Sequence, residues 1–350
     1  MDIEDEWENF LVSDENTREE LEDKHSDIGC EIPKCSPIYI STKTNIAYFN
    51  TTIDLKDIFW KIDVLDYYDN KNGIIKKQMK FNSLSKEEHS EIEDYYNKES
   101  KFKTCDVISH IDTTSSKKDV YKDVRKISIG IAKKDILSYR TKKKSAFYNC
   151  FVIIVRLWCD KDNIFKEVHV KIFNTGKVEI PGIQDDDIFY QCIEYTKKML
   201  SKYYYDIDYS KNEIETVLIN SNFSCGYLIK REKLFDILVN KYKIQSLYDP
   251  CSYPGVQSKY MIDIENNHDD KDKNSNKKIE LSFMIFRTGS VLIVGKCDKE
   301  HLLQVYNFLK DIFKNEYQNI CQYDNNNEES NKVKTKRQPK QRKKMITRSI

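Results

Sequence analysis

The chain has 350 residues, 58 of them Lys or Arg and 57 Asp or Glu, for a formal net charge of +1 at pH 7. That length holds one large domain or two ordinary ones, and the near-zero net charge hides strong polarity from one end to the other. The ten cysteines show no paired Cys-x-x-Cys spacing, so reduced, mostly buried thiols of an intracellular protein are expected rather than a metal site, with neither a signal peptide nor a membrane span.

Residues 1 to about 36 are polar and acidic, from Asp2, Glu4, Asp5, Glu6 and Glu8 to Glu19, Glu20, Glu22 and Asp23, and read as a disordered N-terminus. Over residues 37–52 the alternation Ile38, Ile40, Thr42, Thr44, Ile46 predicts a strand. Spacing then turns helical, with Leu55, Ile58, Phe59 and Ile62 on one face. Residues 68–145 are charged and only patchily apolar, and read as an insertion with a strand or short helix over 127–136, closed by Lys142, Lys143 and Lys144. Residues 147–159 form a nearly continuous apolar strand and 165–173 an alternating one. A Thr175-Gly176 turn leads to a strand over 178–180. Residues 185–204 predict a helix with Ile188, Phe189, Cys192, Ile193 and Met199 inward and aspartates at its N-terminus, where the macrodipole favours them.

The second half repeats this order. A strand over 214–227 precedes a helix over 229–242, whose Leu234, Phe235 and Leu238 match Ile58, Phe59 and Ile62. Strands over 256–264, 279–286 and 291–294 follow, with a charged loop at 268–278, and then a closing helix over 299–313. The clearest sign of repetition is Ile172-Phe173-Asn174-Thr175-Gly176, which returns as Ile285-Phe286-Arg287-Thr288-Gly289.

Helices segregated from a strand meander, twice over, give an α+β fold. It is expected as two pseudo-symmetric repeats forming a saddle-shaped antiparallel sheet with helices on the convex face. The first repeat spans 37–205, with its insertion at 68–145, and the second 206–316; a basic disordered tail takes 317–350, with Lys332, Lys334, Lys336, Arg337, Lys340, Arg342, Lys343, Lys344 and Arg348 and no acid from 332 onward. The helices suffice for one sheet face, which leaves the other as a partner site. Val152, Ile154, Val170 and Phe173 in one repeat, and Met284, Phe286 and Ile293 in the other, are the candidates for that open side.

The Ile-Phe-x-Thr-Gly hairpins, with Tyr253-Pro254-Gly255-Val256 opening the strand before the second, resemble the TATA-box-binding protein family, in a divergent version of the kind carried by large DNA viruses. The resemblance covers about 37–67 and 147–314 and is strongest in the second repeat. It implies that the open sheet lies in a DNA minor groove and that aromatic wedges kink the duplex. By position the wedges are Phe173, Phe286 and Tyr253. For the fourth the count lands on Cys150, with Phe147 favoured and Tyr148 and Phe151 within reach.

The resemblance also implies phosphate or groove contacts from Arg156, Lys177, Lys259 and Arg287. Asn220 or Asn222 answers to the family's base-contacting Asn in the second repeat; in the first, Thr42, Thr44 and Asn45 compete, with Thr44 carried forward. Pro181 and Val294 replace a family Thr, which puts strict TATA preference in doubt.

The function implied is a transcription initiation factor that binds and bends TA-rich double-stranded promoter DNA. It would recruit a transcription-factor-IIB-like factor and RNA polymerase, in the nucleus or a cytoplasmic virus factory. The alternative is a module of the same fold that binds protein or RNA without promoter recognition. No cofactor, metal or catalysis is expected, since His110, His169, His268 and His301 form no constellation with a nucleophile. The basic tail would add salt-sensitive phosphate attraction or serve as an import signal, and the acidic N-terminus would bind another factor or cover the open face.

Overall fold

A strand with alternate apolar residues buries one face and leaves the other to solvent or a partner, and both halves of the chain follow that rule. The computed structural model describes residues 32–115, 118–137, 147–263 and 278–322. The acidic N-terminus up to residue 31, Lys142 to Lys144, the loop at 264–277 and the tail from 323 lie outside them. The described chain falls into two units, one of residues 45–215 and one of residues 32–44 and 216–322. No described helix is long and apolar enough to cross a membrane.

Strand β1 (Tyr39–Tyr48) contributes residues to both units. In the 45–215 unit it leads to helix α1 (Leu55–Lys61), whose N-cap Asp54 accepts hydrogen bonds from the Lys56 and Asp57 amides at 3.1 Å. Strand β2 (Gly73–Ser83), helix α2 (Lys86–Lys98), strands β3 (Lys103–Ser115) and β4 (Lys118–Gly130) and the short helix α3 (Lys133–Leu137) follow. Strands β5 (Cys150–Cys159), β6 (Ile164–Phe173) and β7 (Lys177–Ile183) and helix α4 (Asp186–Leu200) complete the unit. Its strands run β3-β4-β2-β5-β6-β7, with β1 next to β7, and each assigned pair is antiparallel.

The segment from 68 onward, read as an insertion, is therefore not wholly foreign to the sheet. β2 pairs directly with β5, placing Met79 opposite Phe151. What lies between those two strands in sequence is α2, the β3–β4 hairpin and α3.

The other unit begins with strand β8 (Glu215–Ser224), helix α5 (Arg231–Asn240) and the three-residue strand β9 (Gln245–Leu247). Strands β10 (Val256–Asp263), β11 (Lys278–Ile285) and β12 (Ser290–Gly295) and helices α6 (Lys299–Asn315) and α7 (Tyr317–Ile320) follow. Its strand order is β8-β12-β11-β10-β9. Read from the other side, β10-β11-β12-β8 matches β5-β6-β7-β1 element for element.

Each unit has its own core. In the first, Phe151, Ile153, Val155 and Leu157 of β5 and Val168, Val170 and Ile172 of β6 meet Ile58 and Phe59 of α1 and Phe189, Cys192 and Ile193 of α4. In the second, Leu281, Phe283 and Ile285 of β11 and Val291 and Ile293 of β12 meet Leu234 and Leu238 of α5 and Val305, Leu309 and Phe313 of α6. Each such fully buried side chain contributes about 1.5–3 kcal/mol.

The repeated Thr-Gly turn has a specific physical cause. Gly176 and Gly289 have φ of +83° and +85°, a conformation that favours glycine. A Cβ on Gly176 would stand 2.4 Å from the Thr51 carbonyl oxygen, and one on Gly289 would stand 2.3 Å from that of Tyr227. The chain crosses each turn because the loop after β1 or β8 is bonded to it. Phe49 N donates to Gly176 O at 2.9 Å and Ile53 N to Asn174 O at 2.9 Å. Cys225 N donates to Gly289 O at 2.9 Å and Ile229 N to Arg287 O at 2.8 Å.

A lysine is buried within the core of the 45–215 unit. Lys77, on the core side of β2, is 1% exposed and donates to the carbonyls of Phe59 at 2.8 Å and Ile62 at 2.6 Å, at the C-terminal end of α1. Burial pushes its ammonium down to about 8.

Candidate nucleic-acid interface

Because strand alternation fixes faces, the residues between the core positions line the side of each sheet away from its helices. In the 216–322 unit, strand register aligns Asn222, Leu292, Met284, Gln257 and Leu247 in one row across the five strands. A second row runs Asn220, Val294, Ser282, Lys259 and Gln245. The rows hold amides, aliphatic side chains, one hydroxyl and one cation, and no carboxylate. Asn220 is buried, its amide donating to the Thr42 hydroxyl at 3.1 Å, whereas Asn222 is half-buried. Thr44 is 9% exposed. Lys259 is half exposed and pairs with Glu280 at 2.8 Å.

At the end of this face Tyr253 and Phe286 form a ring pair, with centroids 6.0 Å apart and planes tilted by 55°. Gly255 lies under the Phe286 ring, and a Cβ there would come within 2.5 Å of it. Glycine at this position is therefore a condition of the pair. Phe286 is 5% exposed, Tyr253 is the more exposed ring, and partial burial pushes the Tyr253 phenol up to about 12. Arg287 is exposed at the turn beyond.

In the 45–215 unit the corresponding face carries Cys150, Val152, Ile154 and Arg156 of β5 opposite Phe173, Lys171, His169 and Glu167 of β6. Val170 and Ile293, expected on open faces, lie in the helix-side cores at 0% exposure. Val170 is an odd number of residues from Phe173, so strand alternation puts the two on opposite sides. Met284, Val152 and Ile154 do lie on the helix-free side.

Phe173 pairs with Cys150 in register and has the Lys177 ammonium 5.2 Å from its ring centre. Two residues before Cys150 stands Tyr148, as Tyr253 stands two before Gly255. Tyr148 is 56% exposed, with the Lys80 ammonium 3.5 Å from its ring centre. Lys80, with a smaller effect from Lys122, lowers the Tyr148 phenol. Phe147 is 66% exposed and lies 5.4 Å from the Lys171 ammonium, whereas Phe151 is fully buried in the core. Register therefore matches Tyr148 rather than Phe147 to Tyr253, and both rings are exposed.

Arg156 turns out to be a structural cation. It is 6% exposed, donates to the carbonyls of Tyr67 at 2.6 Å and Asp69 at 3.1 Å, and lies over the Tyr67 ring at 4.8 Å. Glu167 approaches it to 3.7 Å. Nor does it match Lys259: Arg156 faces Glu167, six residues before Phe173, whereas Lys259 faces Ser282, four before Phe286. Here the face away from the core helices is partly covered: Leu65, Tyr67 and Ala132 pack on Ile75 and Ile154, and the short helix α3 lies against it, with Asp135 on Lys76 and the Lys133 amide donating to Glu167 at 2.9 Å.

The structure adds lysines that the sequence reading did not assign. Lys76 and Lys80 of β2 share a face with Gln78, opposite in direction to core-facing Lys77, Met79 and Phe81. Lys76 pairs with Asp135 and Lys171 with Glu179, each at 2.7 Å. Among the described residues, no group of three His, Cys, Asp or Glu side chains is placed to hold a metal ion.

No family model matches the chain. A TATA-box-binding protein-like protein of Acanthamoeba polyphaga mimivirus is 27% identical over 207 residues, which is 53% of this chain and 53% of that protein. The chain thus spans about half the length of this curated relative. Among solved structures, Methanococcus jannaschii TBP aligns with 80% of this chain and 99% of its own, at 14% identity and a TM-score of 0.40. The likeness to the TATA-box-binding protein family, first read from two hairpins, extends through the viral relative to about half of the sequence.

Proposed function

We propose that this chain is a TATA-box-binding-protein-like transcription initiation factor whose two units act as pseudo-symmetric repeats that bind and bend promoter DNA through the minor groove. The observation that carries this reading is the Tyr253–Phe286 pair, set on Gly255 at the end of a helix-free face lined by amides and aliphatic side chains. Such a face suits the minor groove, which offers few hydrogen-bond distinctions and is read by shape and deformability. TA steps unstack at low cost, and a ring inserted there exchanges about a few kcal/mol of stacking for a wider contact.

In this reading Tyr148, Phe173 and Tyr253 are the wedges, with Phe286 packed against Tyr253 and the exposed Phe147 beside Tyr148. Lys177, Lys259 and Arg287 contact phosphate, and Asn222 is the more accessible of the two candidate asparagines. Arg156 serves the fold. The reading involves no catalysis, and its further partners are a transcription-factor-IIB-like factor and RNA polymerase, in a nucleus or a virus factory.

The test is the affinity of the full chain for TA-rich and GC-rich duplexes of equal length at fixed salt. A preference for the TA-rich duplex that falls at least tenfold in a Phe173→Ala/Tyr253→Ala variant is the expected result. Equal affinity for both duplexes in the parent, or preferential binding of single-stranded RNA, would sink the reading.

A further inference from the structure

The β3–β4 hairpin continues the 45–215 sheet beyond β2, and its Lys122 and Lys126 stand on the side away from the core helices. β4 lies beside β2, so the hairpin continues the sheet beyond the strand that corresponds in position to β9 of the other unit. Its helix α2 lies on the core side, where Ile92 joins the cluster containing Phe81 and Ile127. On that same side Asp123, 2% exposed, takes Arg125 at 2.7 Å and His110 at 2.8 Å, and Glu93 takes Arg125 at 2.8 Å.

The opposite side is cationic. Register sets Lys126 beside Lys80, and alternation puts Lys122 on the same face. Tyr148 joins them, since Lys80 lies over its ring and Lys122 acts on its phenol. Asp106, opposite Lys126, is the acid that register places in this row. Lys80 and Lys126 are directly opposed on one sheet face, and a polyanion across them complements their charge.

We infer that Lys80, Lys122 and Lys126 form an additional contact for the sugar-phosphate backbone of duplex DNA, extending the contact made by the face of the 45–215 unit that carries Tyr148 and Phe173. This rests on the reading of that face as DNA-binding. Continuity of the sheet and complementarity of charge name the occupant. Two strands at about 4.8 Å each add about 10 Å, or about three base pairs at about 3.4 Å per step. Among the described residues, the 216–322 unit has no such extension and ends at the three-residue β9.

The test uses the full chain, a TA-rich duplex, a Lys80→Ala/Lys122→Ala/Lys126→Ala variant and the matching triple Lys→Arg variant. Each lysine on a phosphate adds about 0.9 to the slope of log affinity against log salt. The alanine variant should therefore lose about 2.7 of slope, so that the parent loses about 40-fold more affinity between 50 and 200 mM salt. Hydroxyl-radical protection should shorten by about three base pairs at one end, and the arginine variant should restore both. An unchanged slope and footprint with binding retained would overturn the extension alone. Failure of the parent to bind duplex DNA would overturn both it and the function on which it rests.

Discussion

Lys77 should make the stability of this protein rise with pH in a range where its thiols pull the other way. The ammonium is enclosed by core side chains and bonded to two helix-end carbonyls, and burial lowers it from 10.5 to about 8. A folded value below the unfolded one means that the unfolded chain binds the extra proton between those two values. Stability from this group is therefore missing below pH 8, grows as pH rises, and is complete above 10.5. The gap corresponds to about 3 kcal/mol at about 1.36 kcal/mol per unit. Cys150 and Cys297, pushed up to about 11 by burial, and Cys225, pushed up to about 12, act in the opposite sense once pH passes 9.0. A comparison with Lys77→Met cancels them. The assay is urea unfolding followed by tryptophan fluorescence at several pH values from 7.5 to 10.5. The parent should gain about 3 kcal/mol on the variant across that range. A difference independent of pH would show that the two carbonyls hold the proton as well as water does, and would refute the reasoning.

Arg156→Ala should cost about 2–4 kcal/mol, because it leaves the Tyr67 and Asp69 carbonyls and Glu167 without their buried cation. Thermal unfolding reads that loss; a normal Tm together with a salt slope lower by about 0.9 would place Arg156 on a phosphate instead. Gly255→Ala should cost about 1–3 kcal/mol by overpacking the Phe286 ring, with a matching change in near-ultraviolet circular dichroism. An unaltered Tm and aromatic spectrum would show that the ring pair is loosely held.

The meander strands and both long helices were legible in the sequence because their periods are clean. Phe283 and Ile285 alternate with Ser282 and Met284, and Leu302, Val305, Leu309 and Ile312 trace one helical stripe. β2 was not legible, because Lys76, Lys77 and Lys80 stand in it and core-facing Lys77 breaks the alternation that would have revealed a strand. The strand or short helix read over 127–136 meets the end of β4 and α3, whereas β3 and the rest of β4 were hidden for a related reason: Asp123 and Arg125 occupy helix-side positions and satisfy each other there. At the candidate site the Phe173 and Phe286 hairpins were visible because a glycine at positive φ marks each turn. The fourth aromatic position could not be fixed by counting along one strand. It needed the register of β5 against β6, which aligns Cys150 with Phe173 and so picks out Tyr148.

DNA bending by this chain can be read from energy transfer across a TA-rich duplex labelled at both ends, on titration with the full chain. Transfer should rise strongly with the parent. It should rise markedly less at saturation with Phe173→Ala and with Tyr253→Ala, since each removes one wedge while the lysines remain. Saturable binding with no rise in transfer, or an equal rise in parent and both variants, would contradict bending by these wedges.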